Sequence, residues 1–580
     1  MQKVQIKYRS LPSDLVVLGL LGAVVYALIA FGREWQSAFN PSVQIDLSLS
    51  AIPKYALFSA LRGLSAFLIS LLFTFVVGYW AAKSPRAEKI IIPLLDILQS
   101  IPVLGFLPGL VLALVAIFPT TNVGLELASI IMIFTGQVWN MTFSFYASIK
   151  SIPNDFEEVA RLIGLNPWGR LWKIEVPFAM TNLIWNSLMS LSGGWFFLMV
   201  CEAFTLGNQN YRLPGLGAYM AMAVQNNDVA SIFLGISSMA GLIIVMDMLI
   251  WRPILAWAHQ FRLEDVPGLT SSEPLMNNLL RESAILNWFT LYLRRRALRR
   301  KVLGTEPVIQ HRGTPWYLKI NFFKFFQNRI LSKVFYVAIV LFCGLLMVLG
   351  TSKLVGQLVA VSADDWRVVI EGTLFTFLRV FGAIILGSLW AVPTAIWIGT
   401  NGKRLRVAQP IIQVLASFPA PMLYPLALGL FLLADIPFSI GSMLLMLLGS
   451  QWYILFNVLA GAMRIPKELD EAMKVIGSSL TKKWFKLYLP SIFPSLVSGW
   501  VTAAGGAWNA SIVAEYLYYE GQLMSTPGLG SVISQAAFSK NFTLLAASLS
   551  VMVAVVVILN RSLWAKVYHL AQTRYRMDLY

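Results

Sequence analysis

Apolar runs such as "LVVLGLLGAVVYALIAF" (15–31) and "LLAASLSVMVAVVVIL" (544–559) recur along this chain and, with their flanks, reach the length that crosses a bilayer. No other feature constrains the fold as far. Backbone placed in hydrocarbon must satisfy its own hydrogen bonds, so only helices and closed barrels qualify. The ~10-residue alternation of a barrel strand is missing. Charged residues make up 13% of the 580 positions and the mean hydropathy is +0.69, against about 25% charged in a soluble chain. The expected fold class is therefore an all-α polytopic membrane protein of about twelve transmembrane helices. The spans fall near 15–31, 57–82, 90–117, 124–149, 178–203 and 230–257, then near 333–350, 368–399, 406–433, 437–462, 491–514 and 544–568.

In such a chain a net charge of +17 reports loop orientation rather than nucleic-acid binding. Lys83, Arg86 and Lys89 crowd one short loop; Lys403, Arg404 and Arg406 crowd its counterpart. Arg161, Arg170 and Lys173, with Lys467, Lys474, Lys482, Lys483 and Lys486, mark two further segments on that side, which becomes the cytoplasmic one. Both termini then lie in the cytoplasm, and the basic N-terminus reads as the lead-in to a first span rather than a signal peptide. Cys201 and Cys343 lie in apolar stretches, and His259, His311 and His569 are scattered. No metal site is expected from them.

The two halves are copies. A shift of 313 positions superposes Trp139 on Trp452, Ile152-Pro153 on Ile465-Pro466, Trp195 on Trp508, Glu202 on Glu515 and "PGLG" (214–217) on "PGLG" (527–530). Upstream, a shift of 317 superposes Arg62 on Arg379 and "PLLDILQSIPVLGFLP" (93–108) on "PIIQVLASFPAPMLYP" (410–425). Six spans per copy make these parallel repeats about an axis along the membrane normal, a dimer tied into one polypeptide with a pathway on its axis. The division follows: 1–56, first span and outer loop; 57–258, first repeat core; 259–332, a basic linker with "LRRRALRRK" at 293–301; 333–367, seventh span and outer loop; 368–570, second repeat core; 571–580, tail. The linker reads as a solvated segment with room for one amphipathic helix on lipid headgroups.

Between spans four and five, "EEVARLIGLNPWGRLWKIEVP" (157–177) is polar and punctuated, and "DEAMKVIGSSLTKKWFKLYLP" (470–490) repeats it. Asn154 with Glu157 reads as a capping box. Gly164 is placed for a left-handed helix end, Asn166-Pro167 for the start of a second short helix, and Pro177 for the next span. These residues resemble the EAA…G…I-x-L-P motif of ABC importer permeases: Glu158, Ala160, Gly164, Ile174 and Pro177, then Glu471, Ala472, Gly477, Leu487 and Pro490. With "SIPVLGFLP" and "SFPAPMLYP" and the glutamate-to-"GLG" segments, the chain is most similar to the group serving nitrate, sulfonates, taurine and bicarbonate. Val159 and Met473 depart from the small residues of that motif, and the two halves are fused. The resemblance implies the type I (MetI-like) permease fold in a bacterial inner membrane. It implies two ATPase subunits docked at the cytoplasmic face and a periplasmic or lipid-anchored solute-binding protein outside. No phosphate loop is present, and "GTNGKR" (399–404) has the wrong spacing. The chain is expected to bind no cofactor itself, with ATP and Mg²⁺ held by the partner, and to catalyse nothing.

For the pathway, intramembrane polar groups are the natural starting point. Gln99, Ser100 and Ser417 lie beside prolines that break the third span of each repeat. Glu202 and Glu515, with Trp195 and Trp508 two turns earlier, either line a cavity or are spent inside each repeat, the glutamates on Arg62 and Arg379. A small anionic or zwitterionic solute is expected. The alternative is an ion-gradient-driven 6+6 transporter, which leaves the paired loop segments unexplained; a membrane-embedded enzyme lacks the acid and histidine cluster it would need.

Overall fold

A computed structural model describes residues 11–206, 209–258, 329–519 and 522–575. Among the described residues helices dominate, joined by turns and by an extended segment at 37–48 that makes isolated bridges Ala38–Thr121 and Ser42–Arg212, with two short hairpins besides. The linker expected at 259–332 lies almost wholly outside the described residues, as do the extreme termini. The described residues separate into two compact units: those within 23–258 and 364–575, which hold both repeats, and those within 11–22 and 329–363, to which helix Arg329–Val359 belongs.

Among the described residues eight helices are long and apolar enough to span a bilayer, and up to ten if each of two bent pairs counts once, against the twelve expected. The first and seventh expected spans fall on helices Leu11–Gln36 and Arg329–Val359. The bent pairs are the proline-broken third spans: Pro85–Gln99 meets Val103–Ile117 at 83°, and Gly402–Ser417 meets Ala420–Leu433 at 82°. Pro102 and Pro419 sit at the breaks, where each removes a backbone donor.

In each repeat the fourth and fifth spans pack along most of their length: Val123–Lys150 with Val176–Glu202, and Phe438–Met463 with Leu489–Ala514. Small residues allow the approach. A Cβ on Gly499 would stand 3.2 Å from the Ile454 Cα, and one on Gly461 would stand 2.8 Å from Ser495.

Each fifth span is entered through a π turn, Leu171–Glu175 or Trp484–Tyr488, just before the Val176-Pro177 or Leu489-Pro490 start. Proline has no N–H for the normal helical bond, and the turn ahead of it widens. The same spans end in antiparallel hairpins, Ala203–Leu206 with Gln209–Arg212 and Tyr516–Tyr519 with Gln522–Ser525, which the sequence reading treats as loop.

Candidate functional site

At one end of the repeats stand two wedges. Helices Asn154–Leu162 and Lys467–Val475 occupy equivalent positions. Each closes as expected on a left-handed glycine, Gly164 at φ +68° and Gly477 at φ +67°. The Leu165 N–H bonds back to the Ala160 carbonyl at 2.9 Å, and the Ser478 N–H to that of Met473 at 3.1 Å.

The opening of the first helix differs from the expected capping box. Pro153 precedes it, and no side chain caps it. Glu157 is instead taken by the Arg170 guanidinium, a charge-assisted partner stronger than a neutral backbone N–H. Arg170 Nε also holds Glu175 at 2.7 Å, and Lys83 Nζ reaches the same carboxylate at 2.7 Å. In the second wedge the equivalent residues are Asp470, Lys483 and Tyr488: the Tyr488 hydroxyl donates to Asp470 at 2.7 Å and Lys483 Nζ lies at 3.5 Å. Each wedge is thereby stapled to the turn that leads into the fifth span. The second short helix, Pro167–Arg170, is no separate element, since helix is continuous from Trp168 to Glu202.

The wedges present matching faces. Glu158, Val159, Leu162 and Ile163 are exposed on one, and Glu471, Ala472, Val475 and Ile476 on the other; Leu162 is 87% and Val475 88% exposed. Ala160 is buried beneath, Leu487 is buried, and Ile174, Pro177 and Pro490 are half-buried. On both wedges contiguous exposed apolar groups thus lie beside an acid.

At the opposite ends of the fifth spans lie two buried clasps. Glu202 is wholly inaccessible and accepts from Arg62 Nη1 at 2.8 Å, Ser59 Oγ at 2.7 Å and the Gly217 N–H at 2.7 Å. Arg62 also donates to the Pro214 carbonyl at 2.7 Å and holds Glu126 in a fork of 2.6 and 2.7 Å. The second repeat matches it: Glu515 takes Arg379 at 2.8 Å, Thr376 at 2.8 Å and the Gly530 N–H at 2.9 Å, and Arg379 reaches the Pro527 carbonyl at 2.7 Å. The "PGLG" glycines serve close approach. A Cβ on Gly215 or Gly528 would fall 2.3 Å from the glutamate carboxylate. Of the two roles open to these glutamates, ion pairing with Arg62 and Arg379 is the one the geometry contains.

Between the repeats the described residues line a larger cavity of about 660 Å³, a smaller one of about 180 Å³, and a third of about 20 Å³ bounded by Trp195, Asp247, Gln413 and Ser417. The smaller is lined by equivalent positions of both halves: Trp139 and Trp452, Asn140 and Tyr453, Phe196 and Asn509, Gly193 and Gly506. It therefore sits on the repeat axis. Gln99 lines it; Glu202, Glu515, Trp195 and Trp508 line neither it nor the larger one. Trp195 and Trp508 are 2% and 1% exposed and fill the repeats' cores, Trp195 against Gly63. Ser417 pairs with Ser192 of the other repeat at 2.8 Å. Ser100 ends helix Pro85–Ser100 at the break.

Ser59, Thr376 and Glu126 are the clasp residues that sequence reasoning passes over. The first two superpose under the 317-position shift, and Glu126 is an acid inside an apolar run, so the intramembrane-charge rule applies to it as it does to Glu202.

A family model described as "Binding-protein-dependent transport system inner membrane component" matches residues 74–250 and 367–572, once per repeat. The glycine betaine/proline betaine transport system permease protein ProW of Escherichia coli is 29% identical over 232 residues, 39% of this chain and 60% of ProW. The trimethylamine N-oxide transport system permease protein TmoV of Pelagibacter ubique is 22% identical over 560 residues, 90% of this chain and 70% of TmoV, so that likeness runs through both repeats. The bicarbonate transport system permease protein CmpB of Synechocystis is 32% identical over 143 residues, 25% of this chain and 50% of CmpB. The chain thus spans about 60% of the length of ProW.

Proposed function

Because this chain belongs to the binding-protein-dependent transport system inner membrane component family, we propose that it is the whole membrane-spanning part of an ATP-driven importer for a small solute, both halves on one polypeptide. The wedge end faces the cytoplasm, where two ATPase subunits dock, one per wedge, and bind ATP and Mg²⁺. The hairpin end faces outward and receives a solute-binding protein. Both termini lie on the cytoplasmic side of a bacterial inner membrane.

The observation that carries this reading is the pair of wedges. Each exposes the same acid-plus-apolar face, is stapled by an ionic network to the segment that follows it, and is joined by one short glycine turn to a helix that borders the axial cavities. Closure of two ATPase subunits on such wedges would rock one helix bundle against the other. The equivalence of Glu158-Val159, Leu162 and Ile163 with Glu471-Ala472, Val475 and Ile476 suits two copies of one ATPase. The relatives' named solutes, a betaine, an N-oxide and bicarbonate, are all small.

The test is copurification. Glu158→Arg with Glu471→Arg reverses the charge of both faces at exposed positions, so the permease stays folded and loses its ATPase. Retention of the ATPase by the double variant would defeat the reading.

A further inference from the structure

The chemistry of the axial cavities carries an inference about solute class, one that rests on the importer reading. Among the described residues lining the smaller cavity there is no carboxylate, lysine, arginine or histidine. The larger has one charged side chain, Arg212, already bonded to Gln225 at 2.6 Å. The buried acids Glu126, Glu202 and Glu515 are consumed in the clasps. An ion with net charge entering the smaller cavity would give up its water and meet no opposite charge, which is steeply unfavourable.

The wall offers other things. Trp139 and Trp452 contribute from equivalent positions, joined by Tyr453, and aromatic faces attract a cation whose charge is spread over methyl groups. The Asn140 amide supplies N–H donors for an oxygen anion, and Gln99, whose Nε2 donates to Asp96 Oδ1 at 3.3 Å, has a second N–H beside it. Both broken helices open here: Ile101 and Val103 flank one break, Phe418 and Ala420 the other. At each break the negative C-terminal end of one helix meets the positive N-terminal end of the next. A space of about 180 Å³ is smaller than a drug-sized pocket.

We propose that the smaller cavity is the solute station of the pathway, and that it takes a small molecule of no net charge with a methylated ammonium group at one end and an oxygen anion at the other, in preference to a free inorganic anion.

The experiment uses the full-length chain in lipid nanodiscs with glycine betaine and trimethylamine N-oxide as probes, read by saturation transfer to their methyl protons. Saturation is expected for both probes, unchanged by equimolar bicarbonate. It should weaken about tenfold or more in Trp139→Leu with Trp452→Leu, by loss of the cation–aromatic contacts. Gly505 lines the same cavity and has nothing within 4 Å of where a Cβ would stand. Gly505→Leu therefore meets no neighbour at its Cβ, projects from the cavity wall and should abolish the signal, which keeps the test decisive if the tryptophan variant fails to fold. Absence of saturation with both probes, displacement by bicarbonate, or a signal that survives Gly505→Leu each overturns the proposal. No ATPase takes part, so the solute class and the importer reading fail separately: the first in this assay, the second in copurification.

Discussion

Replacing Arg62 with Met should be the most damaging single substitution in either clasp, and more damaging than Arg379→Met. Arg62, Glu126 and Glu202 are all inaccessible to solvent. Removing the guanidinium strands two like-charged carboxylates, each of which loses a 2.6–2.8 Å partner. Orphaning one buried carboxylate costs roughly 3–5 kcal/mol, and two stranded together cost more. Arg379→Met strands only Glu515, which keeps Thr376 and the Gly530 N–H, so about 3–5 kcal/mol applies there. Against a total stability of order 5–15 kcal/mol, the first variant should leave little folded protein in the membrane and the second a reduced but measurable amount. The assay is the yield of monodisperse chain and its unfolding temperature in detergent. Adding Glu126→Gln to Arg62→Met removes one stranded charge and should recover part of the loss. Equal stability of the two arginine variants, or no recovery on adding Glu126→Gln, would refute the reasoning.

Gly215→Ala and Gly528→Ala should each destabilise the chain by several kcal/mol, about the cost of breaking a buried ion pair. The new Cβ displaces the glutamate carboxylate at 2.3 Å, and Gly215→Ala should lose most of its effect in a Glu202→Ala background, as a double-mutant cycle would show. Gly164→Ala and Gly477→Ala meet no neighbour within 4 Å and pay only the left-handed backbone penalty, about 1–2 kcal/mol; faster amide exchange confined to the affected wedge is the expected readout. The Asp470 carboxyl lies below the usual aspartate range: burial acts to raise it, but hydrogen bonds from Lys474 and Tyr488 and the Lys483 charge outweigh that. A depressed carboxylate stabilises above the ordinary aspartate value and loses that contribution as pH falls through its lowered one. Exchange over 467–477 should therefore accelerate only in that acid window, and Asp470→Asn should show the acceleration at neutral pH.

The duplication, the broken third spans and the left-handed wedge ends were legible because each has a local cause: a repeated residue, a proline, a glycine that must take positive φ. The capping box failed because its acid has a better partner thirteen residues on, and no short-range rule ranks Arg170 above a backbone N–H. Glu202 and Glu515 could be picked out as costly groups, but their surroundings depend on Ser59, Thr376 and Glu126, which arrive from other helices. Small hydroxyls are common in apolar helices, so Ser59 carries no signal until the repeat alignment sets it against Thr376. The hairpins were missed because strands of four residues are too short for alternation to show without their partners, even where one is as aromatic as Tyr516–Tyr519.

Joining two halves in one chain frees each to differ from the other, and the differences here fall where the two ends of the machine are anchored. The first wedge is tied to a neighbouring span by Lys83; Thr400 holds the equivalent place in the second, whose network closes on itself through Asp470. The first clasp has Glu126 beneath its arginine, and in the second Arg379 donates instead to the Ser439 carbonyl at 3.1 Å and to Thr526 Oγ1 at 2.9 Å. On the axis, Asn140 stands opposite Tyr453 and Phe196 opposite Asn509. A symmetric dimer of separate chains cannot hold such pairs, because any change appears in both copies. The overall twofold arrangement suits the two docking subunits proposed above, whereas the cavity is asymmetric, with an aromatic face set across from an amide. That arrangement suits a solute whose own two ends differ, and it follows from the fusion rather than from the fold.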